Sequence, residues 1–349
     1  MRKVILFLFI SIVHIICYAQ ASNNNDVVIG KGKMPNIARD KFNNIHLVYG
    51  TGDSIMYASS GDAKSFTAPS LVAVLPKLFA SAMRGPQIAA GTNGVVVTAC
   101  DSKGNIYSYA KESSGGWSRA LKVNETDEVA KEALVALGSD GLNAYAVWLG
   151  VKGTKGQNVY GARSVDGGRS WSKNMLVYAS PDSSVCECCK PSVAIAGNNV
   201  YVMFRNWLNE SRDLYIIKST DGGKSFGQAQ KLGNGSWKLN GCPMDGGGLV
   251  INKNGVPETV WRREGKIYSS APGEAESAIG EGRSCSIESV NNKNFYAWTI
   301  GGNVVVQSPG NKAINLGKGT VPLIKAVNDT RLLCVWENEN KIHAYVLAL

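Results

Sequence analysis

Charge is scarce in this chain of 349 residues, where Asp, Glu, Lys and Arg together make up 18 %. No arginine-rich run and no patch of alternating basic and aromatic residues occurs, so the usual electrostatic footprint of a nucleic-acid binder is missing. Histidine is rarer still: His14, His46 and His343 are badly placed to complete a metal site. Beyond the extreme N-terminus no apolar run approaches the length a bilayer-spanning helix needs. What abounds is glycine, 39 residues, as expected of many short strands joined by tight turns.

The N-terminus reads as a targeting segment. Met1-Arg2-Lys3 is a basic start, Val4 to Ile16 is an apolar run broken only by Ser11 and His14, and Ala19-Gln20-Ala21 offers small residues for cleavage. Residues 1–21 are therefore expected to be a secretory signal peptide, and residues 22–349 a single exported domain. Cys17 follows Ile16, where a lipidation signal wants a small residue, which argues against a lipoprotein. The formal net charge of +10 falls to about +8 without Arg2 and Lys3, a mildly basic balance that favours anionic ligands such as carboxylated or sulfated sugars.

One unit recurs along the mature chain. It opens on a small residue or proline, runs through alternating apolar residues to a Gly or Asn turn, and continues into a second apolar strand that often ends in an aromatic. Copies start at Pro35, Pro86, Ala133, Pro191, Gly247, Cys285 and Pro322. Their spacing suits four-stranded blades and predicts an all-β fold, a β-propeller with seven blades favoured and six the alternative. The last copy has room for three strands only, and Val27-Val28-Ile29 is expected to supply the fourth and close the ring.

Ser164-Val165-Asp166-Gly167-Gly168-Arg169-Ser170-Trp171 and Ser219-Thr220-Asp221-Gly222-Gly223-Lys224-Ser225-Phe226 are nearly the same sentence, and Ser60 to Phe66 is a decayed version of it. Glycine supplies positive φ cheaply, and the Asp carboxylate can bond backbone N–H groups further on, so each is a self-contained hairpin turn. The pattern resembles the Asp-box of sialidases and other BNR-repeat propellers, where it marks the outer edge of blades rather than an active site.

Equivalent positions in different copies should meet where innermost strands begin. Two residues before each anchor stand Lys33, Arg84, Lys131, Cys189, Asp245, Arg283 and Thr320. Arg84-Gly85-Pro86 resembles the Arg-Ile-Pro signature of sialidases. That resemblance implies an arginine triad gripping a sugar carboxylate, a tyrosine nucleophile paired with a glutamate, and an aspartate as acid/base. Arg84 and Arg283, with Arg205 or Arg262 as the third, fit the arginine role. Asp101 and Asp245 are candidate acids, and Tyr268 or Tyr296 the candidate nucleophile, neither with a traceable glutamate partner. Lys131, Trp207 and Trp237 are candidate ligand contacts. Trp148, Trp261, Trp298 and Trp336 recur at one place in the unit and are expected to be blade packing.

Seven cysteines remain beyond Cys17, and three of them crowd into Cys186-Glu187-Cys188-Cys189. Cys242, in Gly241-Cys242-Pro243-Met244-Asp245, and Cys285 stand at equivalent places in the following copies, so thiols from neighbouring blades are expected to approach one another. Three uses remain open. They could form a disulfide, for instance between Cys242 and one of the CECC thiols. They could form a copper or zinc site of Cys186, Cys188, Cys189 and Cys242, with Met203 or Met244 as a thioether. They could do thiol chemistry. Cys100 and Cys334 end apolar strands and are expected to be buried and inert. The leading expectation is an exported sialidase-like propeller recognising, and as an enzyme hydrolysing, acidic glycans. A metal or thiol-redox propeller and a non-catalytic interaction scaffold are the alternatives.

Overall fold

The computed structural model describes residues 26–112, 115–152 and 155–349; the expected signal peptide lies outside the described residues. The described chain forms seven four-stranded sheets. Each is antiparallel; in six of them the strands run in sequence order from the axis outward, and in the last the outermost strand comes from the start of the described chain, so the ring is a seven-bladed β-propeller and the six-bladed alternative falls. The innermost strands are Lys33–Arg39, Gln87–Ala90, Val135–Asp140, Ser192–Ala196, Gly248–Ile251, Arg283–Val290 and Thr320–Asn328. Each packs beside the next, and the seventh packs beside the first. Closure is made as expected: Val27–Lys31 adds to Lys341–Ala348 as the outermost strand of the last blade. This tie leaves no open gap between the first and last sheets.

The hydrophobic core is divided among the joints between blades. One cluster joins the last blade to the first through Tyr49, Leu47, Val335 and Ile342, and another joins the third to the fourth through Tyr145, Val147, Phe204 and Ile217. Trp148, Trp261, Trp298 and Trp336 are all buried at the same place on second strands, as packing residues should be. Glycine accommodates one of these rings closely. A Cβ at Gly319, whose φ is +153°, would overlap Cδ1 of Trp336.

The three related loops share one set of bonds. Asp166 Oδ1 accepts the N–H groups of Arg169 and Ser170 at 3.0 and 2.9 Å, and Asp221 Oδ1 accepts those of Lys224 and Ser225 at 2.9 Å each. Asp62 Oδ1 accepts those of Lys64 and Ser65 at 2.8 Å, with Ala63 at φ 61° where the other loops use glycine. All three lie between the third and outermost strands of their blades and reach the preceding blade. Trp171 Nε1 donates to Ser108 Oγ at 2.8 Å, Phe226 meets Tyr145 edge-on with ring centres 5.8 Å apart, and Arg331 donates to the Asp62 carbonyl at 3.1 Å. These loops fasten neighbouring blades and stand away from the axial cavity.

Candidate functional site at the channel mouth

The residues preceding the inner strands gather at one end of the axis. Several inner strands start with a bulge whose extra residue is left-handed: Met34, Ser284 and Val321 have φ of 53°, 56° and 52°. Such bulges end the pairing at the rim and re-aim side chains, and left-handed non-glycine residues concentrate at functional sites. Just inside lies an axial cavity of about 220 Å³ whose lining includes Met34, Met83, Gln87, Lys190, Asp245 and Ser284.

Lys190 reaches from the start of the fourth blade to Gln87 of the second, with Nζ 2.5 Å from Oε1. Gln87 also accepts from Asn36 at 3.2 Å. Burial holds the Lys190 ammonium down to a pKa of about 8, so it remains mostly charged at neutral pH. Gln87 is its one recorded acceptor among the described residues, which leaves two of its three donors for a ligand. Exposed Arg283 stands near enough to the cavity-lining Asp245 to act on its charge, while exposed Lys33 and Lys131 precede their inner strands without lining this cavity; none of the three makes an ion pair among the described residues.

Of the other predicted arginines, Arg84 and Arg205 are committed to the scaffold, whereas Arg262 keeps a buried Nε without a partner among the described residues. Arg84 donates to the Glu132 and Ala82 carbonyls at 2.7 and 2.9 Å and pairs with the Glu132 carboxylate at 2.7 Å. Arg205, only 1 % exposed, donates to the carbonyls of Asp245, Arg212 and Arg262 at 3.2, 2.7 and 2.9 Å. Arg262 donates to the Pro243 carbonyl at 3.4 Å. The guanidinium carbons of Arg205 and Arg262 lie 5.5 and 5.4 Å from the centre of the Trp237 ring. Trp237 is thus a buried platform for two arginines, and Trp207 is covered by Arg212 at 4.4 Å.

The candidate acids differ in setting. Asp101 anchors a turn, accepting the N–H groups of Lys103 and Asn105 at 2.9 Å each. Asp245 is buried at the rim and accepts the Ser284 N–H at 2.9 Å; burial raises its pKa against the opposing pull of that bond and of Arg205, Arg262 and Arg283. Tyr296 bonds Ser269 at 2.8 Å, and Tyr268 stacks on Trp261 with ring centres 6.3 Å apart. Burial raises the Tyr296 pKa, and the Glu258 carboxylate lies near enough to oppose its ionisation further.

Beside Arg205 lies the cysteine cluster. A turn from Cys186 to Cys189, closed by a backbone bond of 3.5 Å, brings their sulfurs to 3.1 Å. Cys188 forms a disulfide with Cys242 across 6.3 Å between Cα atoms, fastening the two loops that flank the fourth blade. Cys186 Sγ is 3.8 Å from Cys188 Sγ and accepts a bond from Arg212 at 3.2 Å. The neighbouring Cys189 thiol, with Arg205 and Arg212, outweighs burial and holds Cys186 down to a pKa of about 6, while burial pushes Cys189 well up. Cys186, Cys188 and Cys189 sit within 4.8 Å of one another, as a metal cage would require. With Cys188 and Cys242 bonded, however, only two thiols remain, and two guanidiniums beside them oppose a cation. This donor set does not fit copper or zinc in the disulfide state. Met203 is buried, and Cys285 lines the axial cavity outside the cluster.

The sequence reading passed over two features. Lys190 was hidden as one lysine among many, and its place directly before the Pro191 anchor was the available signal. A second cavity, about 570 Å³, opens at the other end of the blades between the first and second, lined by Asp40, Phe42, His46, Tyr57 and Lys111. There Tyr57 and Asp40 contact the two His46 ring nitrogens at 2.7 and 3.3 Å.

No family model matches the chain, and no curated protein matches it. Solved structures do resemble it. The BP39L lectin of Burkholderia pseudomallei matches with a TM-score of 0.67 at 9 % identity, over 91 % of this chain and 96 % of the lectin. An ulvan lyase bound to GlcA(1-4)Rha3S matches with a TM-score of 0.53 at 10 % identity, over 93 % of this chain and 96 % of the lyase. The NanB sialidase of Streptococcus pneumoniae reaches a TM-score of 0.49 at 12 % identity, over 91 % of this chain and 68 % of the sialidase. At these identities the likeness is one of fold alone.

Proposed function

We propose that this protein is an exported propeller that binds an anionic sugar, carboxylated or sulfated, at the mouth of its channel. The observation that carries the proposal is the axial cavity of about 220 Å³ with the Lys190 ammonium in its wall and Arg283 beside its lining residue Asp245. A cationic, partly desolvated recess concentrates anions and bonds them more strongly than a flat surface does. Propellers that carry a lectin and a lyase of a uronate-containing polysaccharide lend the fold-level support. Export rests on the basic and apolar character of residues 1–21 and agrees with a disulfide in the mature chain.

Binding without hydrolysis is the favoured form. A sialidase-like grip needs free guanidinium forks, and those of Arg84 and Arg205 are taken up by carbonyls and a carboxylate of the protein itself. Screening the mature chain on immobilised glycans tests both halves. Retention of uronate or sulfate sugars over their neutral counterparts, with no sialoside cleavage, is the expected result. Preference for neutral sugars would overturn the ligand class, and sialoside turnover would overturn the non-catalytic reading.

A further inference from the structure

The cysteine cluster has a layered arrangement that a structural staple does not need. Cys242 is exposed and Cys188 half-buried, so their disulfide faces solvent. Directly behind it, Cys186 and Cys189 are 0 % and 1 % exposed, with sulfurs 3.1 Å apart, the separation of a dithiol ready to close. Cys186 Sγ touches both its buried partner and, at 3.8 Å, the Cys188 sulfur of the surface disulfide. The Arg212 guanidinium, 3.2 Å from Cys186 Sγ, faces the sulfur as a charge partner for a thiolate.

We propose that these four cysteines form a thiol–disulfide relay, in which the buried Cys186/Cys189 pair and the exposed Cys188–Cys242 disulfide exchange two electrons, and the surface pair then reduces an external disulfide. The first step is attack of the Cys186 thiolate on Cys188 Sγ: a Cys186–Cys188 bond forms, the Cys188–Cys242 bond breaks, and Cys242 leaves as a thiolate. Cys189 then attacks Cys186 Sγ, forming Cys186–Cys189 and expelling Cys188 as a thiolate, while the Cys189 proton passes to the new surface pair. Two sulfurs have been oxidised and two reduced, with no outside oxidant. The Cys188/Cys242 dithiol then attacks a disulfide RSSR, releasing two RSH and restoring the surface bond. The chain ends with both pairs oxidised, and two equivalents of a thiol reductant reset the inner pair. The order of events follows exposure. An outside partner reaches Cys242, whereas the inner pair is reachable only through Cys188. Nothing in the relay depends on sugar binding, so either proposal can fail alone.

The test is to trap the intermediate on the folded mature chain. Protein holding one disulfide is incubated with a bulky maleimide too large for buried sites, digested without reduction, and mapped by mass spectrometry. The relay predicts maleimide on Cys242 and Cys188 and a new Cys186–Cys189 disulfide. In Cys189→Ser the second step is blocked, so Cys242 alone should be labelled beside a Cys186–Cys188 disulfide. In Cys186→Ser, labelling of Cys242 should slow at least about tenfold. Cys100, Cys285 and Cys334 are buried, so maleimide on them reports unfolding of any variant. A wild-type chain that keeps Cys188–Cys242 intact and unlabelled overturns the relay. So does a Cys189→Ser chain without Cys186–Cys188, and so does equal labelling of a folded Cys186→Ser chain.

Discussion

The Arg205 guanidinium carbon stands 5.5 Å from the centre of the Trp237 ring, and its nitrogens reach three main-chain carbonyls. One buried cation thereby ties the second strand of the fourth blade to the loop entering the fifth. A lysine there cannot span three acceptors, so Arg205→Lys is expected to cost about 3 kcal/mol. Urea unfolding would show it; an arginine meant for substrate would lose ligand affinity with little change in stability.

The Cys188–Cys242 bond joins positions 54 residues apart. Its loss in Cys242→Ser should lower stability by about 2–4 kcal/mol. Comparing denaturant midpoints of the variant and wild type under oxidising conditions measures this. Adding reductant should bring wild type down to the variant's midpoint.

Lys190 gives a pH signature. Its pKa is about 8 in the folded chain against 10.5 unfolded, so between those values the unfolded state holds more protons and stability rises with pH. Below pH 8 the cost of burying the ammonium is fully present. Lys190→Met should therefore raise neutral-pH stability by about 1–2 kcal/mol, discounted for the partial exposure of the side chain. It should also flatten the rise between pH 8 and 10.5 in melts across that range.

Gly223 has a φ of 84° and lies against the Tyr145 ring of the preceding blade, which a Cβ would overlap. Gly223→Ala is expected to cost about 2–3 kcal/mol, combining a left-handed backbone with overpacking. Sugar binding, at the other end of the axis, should be unchanged once the variant is folded. Parallel melting and binding measurements would separate the two effects.

Much of the fold was legible because its determinants are local. Pro35, Pro86 and Pro191 announce inner strands, glycine turns follow them, and Trp148, Trp261, Trp298 and Trp336 mark the second strands. Val27–Lys31 was legible as the closing strand because the last copy was one strand short. The site was less so. Nothing local shows that Arg84 and Arg205 are bonded to main-chain carbonyls distant in sequence, those of Glu132 and Arg262. Strand position placed Arg84 and Arg283 at one rim, but only tertiary packing shows that Arg283 is exposed while Arg84 is spent. The CECC run signalled a cluster. Which two sulfurs bond depended on how the loop carrying Cys242 folds back over the fourth blade.

The central claim is best tested by titration calorimetry of the mature chain with a glucuronate-containing oligosaccharide, alongside Lys190→Met/Arg283→Ala. Saturable wild-type binding, weakened at least about tenfold in the double variant and by added salt, is the predicted result. Binding that the double variant leaves intact, or that a neutral oligosaccharide matches, would contradict the account.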